Sequence, residues 1–258
     1  MNKSPFTFAA DLIIELGALA QRLLNETYET EWKPDNTPVT SVDTAINDLA
    51  IQRISAQFPD DPVYGEEQSR RRQGGSTWVI DPIDGTQALG RLDTYTICLA
   101  RLDANGRPEF GLVLNPSREE LFVGQAGKPA TLNNEPIHVS SRARIKSSYI
   151  HFGSALRWPE LVTNGVAYDR LEAQGAKIFN TRSLAFGAVS VAAGRFDGAI
   201  IGVKTPFEAA AVELIVRGAG GRVTDIFGRE TSRLDGEIKG LIVSNGLVHD
   251  ELVAALLP

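Results

Sequence analysis

The sequence is poor in the residues that build disulfide frameworks and sulfur-based metal sites. Its 258 residues include one cysteine, Cys98, and three histidines. A single cysteine can form neither an intrachain disulfide nor a multi-cysteine zinc site. The histidines His138, His151 and His249 are scattered along the chain without the spacing of metal ligands. Cys98 lies within a β-like run of residues, and this position predicts a buried, unreactive side chain.

Long hydrophobic runs are also missing. No segment approaches the roughly 20 apolar residues that span a bilayer. The N-terminal segment has neither the continuous apolar stretch nor the small-residue cleavage site of an export signal. Leu12, Leu16 and Leu19 instead follow helical spacing, which predicts an amphipathic first helix. We therefore expect a cytoplasmic protein without a membrane partner.

Basic residues do not predominate. Lys and Arg number 26 against 32 for Asp and Glu, so the formal net charge is −6. A nonspecific nucleic-acid binder needs a basic face that displaces phosphate counterions, so we expect no nucleic-acid partner. The acidic balance still allows a phosphorylated small molecule to be bound through metal ions.

The order of predicted elements divides the chain into two halves. A second helix carrying Ile46, Ala50 and Ile54 is followed by short β-like runs between residues 78 and 124, which predict a mostly antiparallel sheet. Residues 68–77 are polar and predict an exposed loop. Beyond residue 145, strands alternate with helices, including one over 160–173, as in a layered α/β unit. We predict an N-terminal α+β half at 1–144 that carries a metal and phosphate site. A C-terminal half at 145–258 would complete the metal and substrate pocket.

The densest acidic constellation is Gly65-Glu66-Glu67 followed by the run Asp81-Pro82-Ile83-Asp84-Gly85-Thr86. A buried strand at 78–80 delivers Asp81, and Gly85 lets the backbone approach a ligand closely. Neighbouring carboxylates repel one another unless a cation lies between them, and Mg²⁺ prefers such oxygen ligands. Free N–H groups at a helix N-terminus suit a phosphate. The segment therefore indicates an anion-binding turn beside a divalent-cation site, with an ordinary surface turn as the alternative.

These motifs resemble the first signature of the inositol monophosphatase family, in which Gly-Glu-Glu precedes a run matching residues 78–86. Further similar segments cover nearly the whole chain: residues 39–43, 115–122, 132–134, 182–184, 192–197 and 219–221. The resemblance implies an α+β protein built as a layered αβαβα sandwich, of the inositol monophosphatase and fructose-1,6-bisphosphatase type. It also implies Mg²⁺-dependent hydrolysis of a phosphate monoester, and a homodimer.

Site residues follow from the resemblance position by position. The implied metal ligands are Glu66, Asp81, the Ile83 carbonyl, Asp84 and Glu208. The implied catalytic residues are Asp43, Glu66 and Thr86, which would orient a metal-activated water for in-line attack on phosphorus. The expected substrate contacts are Asp84, Gly85, Thr86, Phe186, Ile201 and Glu208. Among these, the backbone N–H groups of Gly85 and Thr86 would hold the phosphate.

The second signature of the family, Pro-Trp-Asp-x-Ala-Ala, is altered here. Residues 206–211 read Pro-Phe-Glu-Ala-Ala-Ala. Glu208 in place of Asp keeps the charge but extends the carboxylate by about 1.5 Å, whereas metal–ligand distances tolerate only about 0.2 Å. We expect a second metal site that is altered but present. The alternative is that Glu208 only begins its helix, where a negative charge is favourable.

The predicted substrate pocket departs further from the family. Ile201 occupies a position that is often acidic, and Phe186 replaces a small hydroxyl residue. An apolar pocket offers fewer partners to cyclitol hydroxyls, so we expect poor hydrolysis of myo-inositol 1-phosphate. A sugar phosphate, another cyclitol phosphate or an amino-alcohol phosphate such as histidinol phosphate stays open. The alternative function is that of a degenerate, non-catalytic relative that binds a phosphorylated ligand or a partner.

Overall fold

The computed structural model describes residues 3–34, 36–70, 75–153, 156–231 and 233–258, so residues 71–74 of the predicted loop at 68–77 lie outside it. Six α-helices lie in the described ranges: α1 (Pro5–Leu24), α2 (Ser41–Gln57), α3 (Asn164–Ala173), α4 (Leu184–Ala192), α5 (Phe207–Gly218) and α6 (His249–Leu256). None of these helices has the length and apolar character needed to cross a bilayer.

Fourteen strands accompany the helices in the described residues. Those that precede α3 are β1 (Thr30–Trp32), β2 (Pro38–Thr40), β3 (Val63–Gly65), β4 (Thr77–Asp84), β5 (Thr96–Leu102), β6 (Pro108–Asn115), β7 (Glu120–Gln125), β8 (Thr131–Leu132), β9 (Glu135–Pro136) and β10 (Tyr149–Phe152). Those that follow α3 are β11 (Lys177–Phe179), β12 (Gly198–Ile201), β13 (Arg222–Thr224) and β14 (Leu241–Ser244).

Capping residues explain where the helices begin. Pro5 opens α1, and Ser4 Oγ accepts a hydrogen bond from Thr7 N at 3.1 Å. Thr40 and Asp43 form a reciprocal capping box at the start of α2. The predicted helix over 160–173 starts later, because the Thr163 side chain accepts from Val166 N and makes Asn164 the first helical residue.

Two main sheets form the framework. The first has seven strands in the order β3-β4-β5-β6-β7-β8-β9, and only β3–β4 is a parallel pair. This confirms the expected mostly antiparallel sheet. The second has five strands in the order β11-β10-β12-β14-β13, with parallel and antiparallel pairs. A separate hairpin joins β1 and β2.

The elements stack in five layers, which confirms the αβαβα sandwich. Helices α1 and α2 cover one face of the first sheet, and α3 and α6 cover the outer side of the second. Helices α4 and α5 lie between the sheets and contact both. In α4 every residue from Ala185 to Ala192 is buried, as expected for a helix enclosed on all sides. The chain passes to the second sheet between Pro136 and Tyr149, and the division into halves at residues 144 and 145 remains a prediction.

The backbone of α5 lies directly on the first sheet. A Cβ atom placed on Gly111, in β6, would lie 2.1 Å from the carbonyl oxygen of Ala211. Only glycine allows such an approach between a strand and a helix. This contact fixes how deeply α5 sits, and therefore where its first turn, with Glu208, meets the end of β4.

We expect Gly111→Ala to lower the free energy of unfolding by about 3 kcal/mol or more, because the new methyl group has no room against backbone atoms. Urea unfolding measures the change. Gly165→Ala is the matched control: nothing lies within 4 Å of its Cβ position and the residue lies in α3, so the variant should lose no stability and can gain up to about 1 kcal/mol. Equal stability of the two variants would contradict the close approach.

Candidate active site

Strand β4 and helix α5 bring three carboxylates together. Asp81 and Asp84 lie in the second half of β4, and the pairing of β4 with β5 is irregular between them. Glu208 enters from the first turn of α5. One oxygen from each of Asp81, Asp84 and Glu208 lies within 4.8 Å of the others. Three of the expected metal ligands therefore meet at one point.

The charge in this cluster is poorly compensated by the protein. Burial raises the pKa of Asp81 well above its usual value, and the charges of Glu66, Glu208 and Asp84 raise it further. Burial also raises the pKa of Glu208 well above its usual value, helped by Asp84 and Glu66. Asp81 Oδ1 and Glu208 Oε2 are buried and have no hydrogen-bond partner among the described residues. Unpartnered buried carboxylate oxygens fit a hard divalent cation as the missing partner.

Asp84 rests in a cradle at the start of α4. Its carboxylate accepts hydrogen bonds from Ser183 Oγ at 2.5 Å, Ala185 N at 2.7 Å and Leu184 N at 3.1 Å. Thr96 Oγ1 adds a fourth donor at 3.2 Å. Burial raises the pKa of Asp84, and these donors oppose the rise. The N-terminal end of a helix favours a negative charge, so α4 helps to hold the carboxylate at this depth.

Asp43 and Thr86 form a hydrogen-bonded pair beside the cluster. Thr86 Oγ1 lies 2.9 Å from Asp43 Oδ1 and 3.1 Å from the carbonyl oxygen of Ile83. Thr40 donates to the other Asp43 oxygen through its backbone N–H at 2.9 Å and through its hydroxyl. Burial raises the pKa of Asp43, while the bonds from Thr40 and Thr86 lower it. The structure thus joins the expected residues Asp43, Thr86 and Ile83.

Gly85 makes the turn between these groups. Its φ of +90° lies in the left-handed region that favours glycine. A Cβ atom there would lie 2.7 Å from the carbonyl oxygen of Arg182. A short 3-10 helix over Thr86–Ala88 follows directly. The turn therefore packs against the segment that leads into α4.

Glu66 lies next to Asp81 and also forms an ion pair with Lys33. Lys33 Nζ, from the loop between β1 and β2, lies 3.0 Å from Glu66 Oε1 and 2.7 Å from Glu67 Oε1. Partial burial lowers the pKa of Lys33, but its bonds to Glu67 and Glu66 more than offset this and raise it. Lys33 is therefore a positive charge held at the edge of the acidic cluster.

The two expected pocket residues are largely covered. Ile201 is 1% exposed and packs in the core between the sheets. Phe186 is 8% exposed, and the guanidinium carbon of Arg118 lies 5.9 Å from its ring centroid. Their contact with a substrate remains a prediction.

Sequence reasoning missed several groups of this site. Ser183 carried a usable signal, since a serine directly before a helix of small residues is typical of an N-cap. Thr96 and Arg118 come close only after strands pair and layers stack. Lys33 lies in a turn-rich segment without periodicity, so no local signal marks it.

Comparison with known proteins agrees with this geometry. The model of the inositol monophosphatase family matches residues 2–258. The chain belongs to this family. It is 34% identical over 226 residues to a histidinol-phosphatase of Chlorobaculum parvum, covering 87% of this chain and 85% of that protein. It is also 34% identical over 216 residues to a fructose-1,6-bisphosphatase/inositol-1-monophosphatase of Thermotoga maritima, covering 83% of this chain and 80% of that protein.

A solved structure extends the likeness to the fold. The Thermotoga maritima inositol monophosphatase superposes with a TM-score of 0.86 at 31% identity, covering 97% of this chain and 95% of the other. Together with the family and these relatives, the fold identifies the protein as a phosphoric monoester hydrolase of the inositol monophosphatase family.

We expect Glu208→Gln to stabilise the metal-free protein and to weaken metal binding. A carboxyl group whose pKa is raised in the folded state destabilises that state above its unfolded pKa, so removing the charge should raise the free energy of unfolding at pH 8. The rise in melting temperature caused by Mg²⁺ should shrink at the same time.

Calorimetry with and without Mg²⁺ tests both effects, with the exposed Glu172→Gln as the control that should change neither. A Glu208→Gln variant that is less stable without metal, yet responds to Mg²⁺ like the wild type, would contradict this view of the cluster.

Proposed function

We propose that the protein is a Mg²⁺-dependent phosphatase that hydrolyses a small phosphate monoester. The observation that carries the proposal is the cluster of the buried Asp81 and Asp84 with the half-buried Glu208, which has two buried, unpartnered oxygens and lies beside the Asp43–Thr86 pair. Mg²⁺ prefers such oxygen ligands. When bound, it polarises a phosphoryl oxygen and lowers the pKa of water.

The chain's own residues divide the remaining tasks. Asp81, Asp84 and Glu208 hold the cation, with Glu66 and the Ile83 carbonyl as further ligands at its edge. Because Asp43 accepts the Thr86 hydroxyl hydrogen, the lone pairs of Thr86 Oγ1 can orient the attacking water. The N–H groups of Gly85 and Thr86 bind the phosphate at the turn. No side-chain nucleophile is needed, in keeping with the burial of Cys98.

The proposal names one reaction but leaves several classes of substrate open. Sugar, cyclitol and amino-alcohol phosphates, including histidinol phosphate, all remain candidates. The names of the two relatives, one a histidinol-phosphatase and one a bisphosphatase and inositol monophosphatase, support this range. A homodimer, a cytoplasmic location and the lack of a nucleic-acid partner stay predictions, and light scattering tests the first.

A non-catalytic role is the second candidate. The altered second signature with Phe207 and Glu208 favours it, as does the engagement of Glu66 by Lys33. The retention of Asp43, Asp81, Asp84 and Thr86 in one constellation opposes it. Binding of a phosphorylated ligand by the folded protein without any turnover would favour this candidate.

We expect Mg²⁺-dependent phosphate release from at least one member of a panel of phosphorylated metabolites. Asp84→Asn should abolish the release, and Thr86→Ala should lower it about 100-fold or more because it removes the water-orienting hydroxyl. The exposed Asp48→Asn is the matched control and should keep full activity. Circular dichroism confirms that each variant is folded. Release that survives without Mg²⁺ or in Asp84→Asn would contradict the proposal.

We also expect myo-inositol 1-phosphate to be a poor substrate. Ile201 and Phe186 offer no acidic or hydroxyl partner to the ring hydroxyl groups of a cyclitol. The value of kcat/KM for this compound, divided by that for the best substrate of the panel, measures the effect. A ratio near one would overturn this view of the pocket.

A further inference from the structure

His151 is a buried imidazole that the proposed reaction does not use. It lies in β10, an inner strand of the second sheet, and it has no exposed surface. Its ring stacks on Phe196, with centroids 6.4 Å apart and an interplanar angle of 16°. Cβ atoms placed on Gly153 and Gly187 would lie 2.5 Å and 2.4 Å from ring atoms, so the ring has little room to move.

The two ring nitrogens of His151 have different surroundings. Thr181 N donates a hydrogen bond to Nδ1 at 3.4 Å, and Thr181 Oγ1 lies 3.4 Å from the same nitrogen. The bond from Thr181 N requires the hydrogen of the neutral ring to be on Nε2. Nε2 is buried and has no partner among the described residues. Burial lowers the pKa of His151 to about 4, so the ring is neutral at neutral pH. Nε2 therefore lies without a partner, which costs stability, whereas Nδ1 faces Thr181.

Thr181 begins the short segment that holds Asp84. Its hydroxyl donates to the Ser183 carbonyl at 2.8 Å, and its own carbonyl accepts from Thr94 Oγ1 at 2.6 Å. Arg182 has a φ of +62°, in a region that residues with a side chain rarely adopt. Ser183 then donates to Asp84. A segment with such a backbone needs fixed partners on both sides.

We propose that His151 is a positioning residue of the phosphatase site. Its neutral imidazole fixes Thr181, so that Arg182 keeps its left-handed turn and Ser183 and the first N–H groups of α4 stay directed at Asp84. The inference rests on the proposed function only for the role of Asp84 as a metal ligand.

Two substitutions of His151 distinguish its effect on the position of Thr181 from its contribution to core packing. His151→Asn keeps an acceptor close to the position of Nδ1, and His151→Leu fills similar space without one. For His151→Leu we expect kcat to fall about 10-fold or more and the Mg²⁺ activation constant to rise, with KM much less affected. His151→Asn should restore most of kcat. His249→Leu is the control: it removes a buried imidazole that bonds Ser244 and Thr224 at the opposite side of the second sheet, so stability should fall while kcat stays unchanged.

A readout that needs no turnover accompanies the kinetics. Hydrogen–deuterium exchange of the metal-free protein should be faster at residues 181–185 in His151→Leu than in the wild type, and close to wild type in His151→Asn. Wild-type exchange and kcat in His151→Leu would overturn the inference, as would faster exchange without any change in kcat in an active enzyme. If the wild type hydrolyses no phosphate at all, the proposed function fails. The exchange data then decide alone whether His151 places this segment.

Discussion

The burial of like charges at one point is the constraint on which the rest of this structure depends. Carboxylate oxygens of the buried Asp81 and Asp84 and of the half-buried Glu208 lie within 4.8 Å of one another, and the pKa of each group is raised. Isolated charges of this kind are strongly unfavourable. The protein compensates in part through the donors around Asp84 and through Lys33 at the edge, but it leaves Asp81 Oδ1 and Glu208 Oε2 without a partner in the described residues. That residual charge makes the cluster a receptor for a cation.

The layered fold is the means of bringing these charges together. A strand end supplies Asp81 and Asp84, and two helices enclosed between the sheets begin at the same point, so that Glu208 and the first N–H groups of α4 converge on them. Gly111 permits α5 to lie on the sheet closely enough for this convergence. The second sheet also contributes to the position of the site residues, because His151 in this sheet contacts the segment before α4. The site is therefore formed by residues from several layers of the fold and not by one loop.

The sequence predicts the framework better than the contacts within it. Helices with clear periodicity or caps, such as α2 with Ile46 and Ile54, and the strand that runs into Asp81, are evident locally. The strands that the sequence analysis does not predict, such as β8 and β11, have only two or three residues, which are too few for a periodic pattern. The acidic signature and its resemblance indicated which carboxylates meet. The N-cap signal of Ser183 does not reveal its bond to Asp84, 99 residues away, and the contact of Lys33 with Glu66 spans 33 residues, so neither contact can be read from local composition.

The central claim is that the three carboxylates form a divalent-cation site in which the longer side chain of Glu208 takes part. Anomalous diffraction from crystals grown with Mn²⁺ in place of Mg²⁺ tests it most directly, because the metal is located without reference to activity. The account predicts an anomalous peak between the carboxylates of Asp81, Asp84 and Glu208, with an oxygen of Glu208 at bonding distance. A map without a peak there, or with the Glu208 carboxylate turned away from the metal, would contradict it.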